Sequence, residues 1–326
     1  MLSIRRPTFG FRYADVEPMA TGGMAEVYRA RLKFKRGLSK PVILKKIRTP
    51  YEKDPTWVQS FWQEAKIMAM LSHSNIVQVY DFGKSRSGYF FSMEWIDGGS
   101  LLDLTQGLKR DAEPMPDRFV FYVALEILKG LSYAHQRGVV HQDLSPSNIL
   151  ISVSGEVKIA DFGVARFLSD SLKATPFVEG KRRYMSPEQR ERKPVGPASD
   201  LYSLSVILSE LFGTNYAFLK RGRCIDPQER FQTCEEMERA VYDEMKTSEG
   251  PVTGAPVTSG LVTSGLVTQR EFSHYLSRCR FGVSHKTVPL SEMTAVHMHE
   301  RKGGYLKVAV VILLLCVLGR QVPHFY

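Results

Sequence analysis

Cysteine is scarce in this chain of 326 residues. The four thiols, Cys224, Cys234, Cys279 and Cys316, show no C-x-x-C spacing. That scarcity argues against a disulfide scaffold or a thiolate zinc site and points to a reducing compartment. The opening Met1-Leu-Ser-Ile-Arg-Arg lacks the apolar core of a secretory signal, so the bulk of the chain is expected in the cytoplasm. Acid is the minority charge, with 34 Asp and Glu against 44 Lys and Arg, a net of +10. The surplus suits an anionic partner such as a nucleotide, an acidic protein or a membrane surface, without choosing among them. What is present in ordinary amount is apolar and charged matter, 43% and 24%. This usage excludes a disordered or fibrous chain, and the length supports one large domain or two modest ones.

Residues 1–12 read as an N-terminal extension. From 13 to 97 the pattern is one of short strands around a single helix. Tyr28 to Leu32, Val42 to Ile47, Val77 to Phe82 and Tyr89 to Trp95 are β-branched or aromatic runs. Trp57, Phe61, Ala65, Met68 and Leu71 recur at helical spacing between them. Asp97-Gly98-Gly99-Ser100 breaks the pattern and reads as a junction. From 98 to 243 the periodicity is mostly helical, with one stripe at Phe119, Val123, Ile127, Leu131 and Ala134 and another at Leu201, Leu204, Leu208 and Leu211. The expected class is α+β: a small β-rich lobe, then a larger helical lobe.

Residues 244–304 change character. Val257-Thr-Ser-Gly-Leu261 repeats at Val262 to Leu266 among Pro and Gly, which marks a linker, and a basic stretch follows. Val308 to Gly319 then runs twelve residues without a charge. As a helix this is about 18 Å, and residues 305–322 reach about 27 Å if Lys307 and Arg320 snorkel, against roughly 30 Å of hydrocarbon. Two readings stay open, a membrane anchor or an apolar tail packed on the domain. The linker favours the anchor, with the basic flank holding the large domain on the cytoplasmic side.

The densest polar pattern is His141-Gln142-Asp143-Leu144-Ser145-Pro146-Ser147-Asn148, followed after an apolar strand pair by Asp161-Phe162-Gly163. With it the chain resembles the protein kinase superfamily, most closely bacterial serine/threonine kinases of the eukaryotic-like (Hanks) type, from about Tyr13 to Tyr242. The resemblance implies a bilobal kinase-like fold, ATP and Mg²⁺ as cofactors, and protein substrates with Ser or Thr acceptors, the chain itself included. No nucleic-acid partner is expected. Phosphoryl transfer needs an acceptor for the hydroxyl proton, oxygen ligands for magnesium, and cationic or backbone donors for the polyphosphate. By resemblance Asp143 is the base, Asn148 and Asp161 are the metal ligands, and Lys45 meets the phosphates with Glu64 as its partner. Gly22 and Gly23 in Ala20-Thr-Gly-Gly-Met-Ala-Glu-Val27 stand where a glycine-rich loop belongs, with Ala20 and Ala25 in place of two expected glycines. Met93 to Ile96 reads as the hinge, the Glu94 and Ile96 backbones meeting adenine and Val27, Ile43 and Leu150 enclosing it. Met68, Val79, His141 and Phe162 are expected to stack through the core. Glu188 in Ser186-Pro-Glu188 is expected to pair with Arg230, and Asp200 to cap the central helix and brace the catalytic loop.

Three departures qualify the resemblance. Gln142 replaces an arginine that normally meets a phosphorylated residue, which argues against that control even though Ser169, Ser171 and Thr175 are available for modification. Ser145 replaces a lysine that neutralises the γ-phosphate, and Lys181, in Gly180-Lys-Arg-Arg-Tyr184, is expected to supply that ammonium. Only thirty positions separate Asp200 from Arg230, so helix G and much of helix H have no room, and the helical lobe is shortened. Exposed apolar surface, weakened folding, or filling by the tail are the expected consequences. The competing reading is therefore a pseudokinase, an ATP-binding scaffold or regulatory module. A small-molecule kinase of the aminoglycoside phosphotransferase sort stands further off, because of Phe162-Gly163 and Ser186-Pro-Glu188.

Overall fold

Five antiparallel strands open the chain: β1 Tyr13–Thr21, β2 Ala25–Lys33, β3 Ser39–Ile47, β4 Val79–Ser85 and β5 Gly88–Glu94, in the order β1-β2-β3-β5-β4. The computed structural model describes residues 9–10, 12–110, 115–162, 179–212 and 216–248, all within one compact unit, Met1–Gly282. Alternation along β3 sorts its side chains onto two faces, and both are covered. Val42 and Leu44 join Phe9, Tyr13, Tyr28 and Phe90 in a small cluster. Ile43 and Ile47 join a larger core that continues into the helical half. Phe9 sits edge-on to Tyr28 and Phe90, so the expected N-terminal extension contributes to this lobe.

The chain then forms α1 Thr49–Glu52 and α2 Pro55–Met70. Asp54 starts α2, its side chain accepting from Thr56 N–H at 2.9 Å, and Pro55 follows at the first helical position, where a missing N–H costs nothing. Phe61, Glu64, Ala65 and Met68 are its buried face. The Glu64 carboxylate thus shares a largely apolar stripe with one other buried polar residue, Ser60. Beyond the sheet come β6 Gly98–Ser100 and α3 Leu101–Arg110, then α4 Asp117–His135, β7 Ile149–Ser152 and β8 Val157–Ile159, with sheet order β6-β7-β8. Three of the four residues of the expected junction, Gly98–Ser100, form the short strand β6. A Cβ at Gly98 would lie 2.0 Å from the Ile151 carbonyl oxygen, so only glycine permits that pairing.

The rest of the described lobe is α5 Pro187–Arg190, α6 Pro197–Phe212, α7 Ala217–Gly222 and α8 Cys234–Ser248. The stripe on α4 is buried as its spacing requires, and Leu201, Leu204 and Leu208 bury α6. Among the described residues, the short stretch before Arg230 is closely packed. The α7 residues Phe218 and Leu219 are buried, and the rings of Phe121, Phe212, Tyr216 and Phe218 pack together. Gly222 lets α7 lie directly on α6, because a Cβ there would meet Ser205 Oγ at 1.9 Å. Among the described residues of this stretch, Ile225 is the large apolar side chain left in solvent, at 80% exposure. The composition shift expected at 244 falls inside α8, which continues to Ser248 with Met245 buried. Residues 305–322 lie outside the described residues, among which no helix is long and apolar enough to cross a membrane.

Candidate active site

Alternation places Lys45 on the face of β3 that carries Ile43 and Ile47, turned toward α2. Its Nζ donates to Glu64 Oε1 at 2.6 Å and to Asp161 Oδ1 at 3.0 Å. Burial alone would depress the Lys45 ammonium, but the carboxylates of Asp161 and Glu64 outweigh it and raise its pKa above the usual lysine value. For Glu64 burial wins and its pKa is raised. Burial also opposes ionisation of Asp161, yet Lys45 prevails and holds this carboxyl below the usual aspartate value. Neighbouring Lys46 points the other way and pairs with Glu26 at 2.9 Å.

The second group hangs on the loop from His141 to Asn148. Asn148 Nδ2 donates to the Asp143 carbonyl at 2.8 Å and to Asp143 Oδ2 at 3.2 Å, while its Oδ1 accepts from Ser147 Oγ at 3.4 Å. Lys181, on a 3₁₀ turn spanning Glu179–Tyr184, donates to Asp143 Oδ2 at 2.8 Å and to Asn148 Oδ1 at 3.3 Å. The charge of Lys181 also favours the ionised form of Asp161, which ties the two groups into one electrostatic site. Asp161 and Asn148 offer two oxygen donors of the kind magnesium takes when phosphates and water complete its shell.

Several contacts hold this loop in place. His141 N–H donates to Asp200 Oδ2 at 2.7 Å and Gln142 N–H to Asp200 Oδ1 at 2.8 Å. Asp200 was expected as the cap of the central helix. It lies instead within the first turn of α6, which begins at Pro197, and its carboxylate faces the loop's amides. His141 Nε2 donates to the Ala160 carbonyl at 3.0 Å while Nδ1 accepts from Asp143 N–H at 3.2 Å, so the imidazole carries its proton on Nε2. Burial pushes its pKa down and keeps it neutral. Its ring lies 4.5 Å from Phe162, and Met68 and Val79 are buried in the core that Phe162 joins. Gln142 and Asp161 both adopt left-handed backbone, φ 64° and 55°, a cost that function-bearing loops often carry.

The remaining expected residues are placed as follows. Gly22 and Gly23 form the tip between β1 and β2 and are tied to Arg48, whose Nη1 donates to their carbonyls at 3.3 and 3.0 Å. Val27, paired with Lys45, and Leu150 are half-buried against the core that contains Ile43. Glu94 ends β5 with its carboxylate on Lys158 at 3.1 Å, and Ile96 is buried just beyond. Sequence reasoning missed Arg48, which follows the strand without any local signature. It also missed Gln189, whose Nε2 donates to the Gln142 carbonyl at 2.8 Å. The Ser-x-x-Gln spacing from Ser186, which here forms a capping box, could have found it.

Glu188 and Arg230 meet as expected. Arg230 is fully buried and directs all five N–H groups to acceptors: both Glu188 oxygens at 2.8 and 2.9 Å, and the carbonyls of Cys224, Ile225 and Ala198.

The protein kinase domain family matches residues 13–266. The probable serine/threonine-protein kinase PknB of Lactococcus lactis subsp. lactis is 37% identical over 204 residues, 62% of this chain and 32% of that protein. The serine/threonine-protein kinase PknL of Mycobacterium tuberculosis is 39% identical over 201 residues, 61% of this chain and 49% of that protein. The chain thus spans half or less of the length of these curated relatives. The crystal structure of the Mycobacterium tuberculosis PknI kinase domain superposes with a TM-score of 0.56 at 23% identity, covering 72% of this chain and 96% of that one. That likeness speaks to the fold.

Proposed function

Because this chain belongs to the protein kinase domain family, we propose that it transfers the γ-phosphoryl group of ATP to Ser or Thr hydroxyls of proteins. The observation that carries this reading is the meeting of six polar side chains drawn from five separate stretches: Lys45, Glu64 and Asp161 form one hydrogen-bonded group, Asp143, Asn148 and Lys181 a second, and the charge of Lys181 acts on Asp161 across them. In this reading Asp143 orients the acceptor hydroxyl and takes its proton as the phosphorus–oxygen bond to the acceptor forms and that to the β-phosphate oxygen breaks. Lys45, fixed by Glu64, and the Gly22 and Gly23 backbone receive the polyphosphate. Val27, Ile43 and Leu150 enclose adenine, and the Glu94 and Ile96 backbones meet its edge. Magnesium, held by Asn148 and Asp161, supplies positive charge against the phosphates when bound.

The test is transfer of labelled phosphate from ATP to the chain itself or to a protein acceptor. Incorporation that the Asp143→Asn variant matches would reject the reading. No observation among the described residues favours the scaffold alternative.

Lys181 takes the place of the ammonium that Ser145 cannot supply. Lys181→Ala is expected to lower kcat about a hundredfold at saturating ATP, as loss of one transition-state donor does elsewhere. An unchanged kcat would sink that role. The composition of residues 305–322 supports attachment to a membrane, and a tagged chain is expected in the membrane fraction after lysis. Its recovery in the soluble pool would reject the anchor.

A further inference from the structure

Residues 181–183 are Lys-Arg-Arg, three consecutive cations on the 3₁₀ turn that delivers Lys181 to Asp143. From Lys181 to Lys193 the chain carries six cations and only two acids, Glu188 and Glu191. Glu188 is buried on Arg230 and presents no charge outward. Glu191 is paired with Lys193. Arg183 shares its charge with Glu210 at 3.1 Å and lies against the Tyr184 ring. Arg182 is exposed, and no acid among the described residues pairs with it.

Position makes this charge more than a solvated face. Successive Cα atoms are 3.8 Å apart, so Arg182 and Arg183 stand within a few ångströms of the residue that touches the base. Any peptide that presents a hydroxyl to Asp143 must run past them. With Lys181 engaged by Asp143 and Arg183 by Glu210, Arg182 is, among the described residues of this turn, the cation without an acid partner, and it favours an incoming anion, which raises both the encounter rate and the discrimination against basic sequences. A lysine-rich substrate would face like charge at the point of closest approach.

Resting on the phosphotransfer reading of the site, we infer that the protein substrate is acidic, with Asp or Glu within two or three residues of the acceptor Ser or Thr. Arg182 receives a carboxylate directly, and Arg183 does so by exchange with Glu210.

Binding can be measured apart from catalysis. Fluorescent peptides with the acceptor replaced by Ala, flanked by three Glu or by three Lys in an otherwise common frame, are titrated into the full chain with Mg²⁺ and a non-hydrolysable ATP analogue. The Glu peptide is expected to bind at least about tenfold more tightly at low salt, as a few partly desolvated ion pairs would give. The advantage should shrink as salt rises. Arg182→Glu with Arg183→Glu should erase or invert the ratio. Equal affinities, a preference for the Lys peptide, or a Glu preference that survives the double substitution would each overturn the inference. Phosphorylation of the matching Ser peptides is scored separately. Preferential binding without any transfer would reject the enzyme and leave the acidic partner standing.

Discussion

Asp143→Asn is expected to leave the fold and nucleotide binding intact while lowering phosphotransfer by about a hundredfold to ten-thousandfold, the range lost with a general base. The amide has the shape of the carboxylate, so an oxygen at this position still accepts from Asn148 Nδ2 and Lys181 Nζ, two contacts that help fix the side chain. It has no basic oxygen for the acceptor's proton. It also removes the negative charge that orients the hydroxyl toward the incoming phosphorus. The measurement is kcat beside the affinity for a fluorescent ATP analogue. A large fall in kcat with an affinity within about twofold of the parent's separates a lost base from a lost fold. A variant that kept its kcat would remove Asp143 from the chemistry. Comparison with Lys181→Ala is informative, because both substitutions break the same ion pair from opposite ends. A common effect on the pair would appear in both, and proton transfer in only one.

Arg230→Met is expected to cost about 3–5 kcal/mol, the penalty for breaking a buried ion pair from one side. That is a large part of the 5–15 kcal/mol that holds a typical domain together. The guanidinium serves three backbone carbonyls besides Glu188, so a matching Glu188→Leu should restore only part of the loss. Urea midpoints of the single and double variants measure this. Equal stability of Arg230→Met and parent would mean that the pair contributes nothing. The same contact makes stability depend on acid. Burial works to raise the Glu188 pKa, but Arg230 and Ser199 overcome it and bring it down to about 2 from an ordinary 4.5. A depressed carboxyl stabilises fully above its unfolded value and loses that contribution as pH falls from about 4.5 toward 2, here about 3 kcal/mol in all. The Glu188→Gln chain should therefore show a flatter stability profile across that window.

The sequence was most readable where one period governed a whole element. The apolar stripe from Phe119 to Ala134 is the buried face of α4, and the β-branched run at Val42 to Ile47 is the centre of β3. β1 was harder to read because Glu17, Pro18, Met19 and Ala20 are exposed and no alternation survives its two register shifts. An edge strand such as β1 readily accommodates a proline, here Pro18. In the site, the grouping of Lys45, Glu64, Asp143, Asn148 and Asp161 follows the residue order of the motifs. The Lys181 contact is legible because Ser145 stands where a cation is expected and Lys181 is a cation without that role in the motif. Arg48 acts on carbonyls through contacts that follow no period, Gln189 is marked in the sequence only by its spacing from Ser186, and α7 fills its gap by aromatic packing that local propensity does not encode. Those features depend on distant chain segments meeting.

Asp200 accepts from two consecutive amides of the loop that carries Asp143, and its Oδ2 also lies 2.8 Å from His135 Nε2 at the end of α4. Cys234, at the start of α8, approaches the other nitrogen of that imidazole at 3.4 Å. One carboxylate thus couples the working loop to three helices of the interior. Heat should not produce a population that keeps its packed helices while its reactive centre wanders, since both hang from the same peg. The chain's tolerance of temperature is, in that sense, set by its scaffold rather than by its cleft.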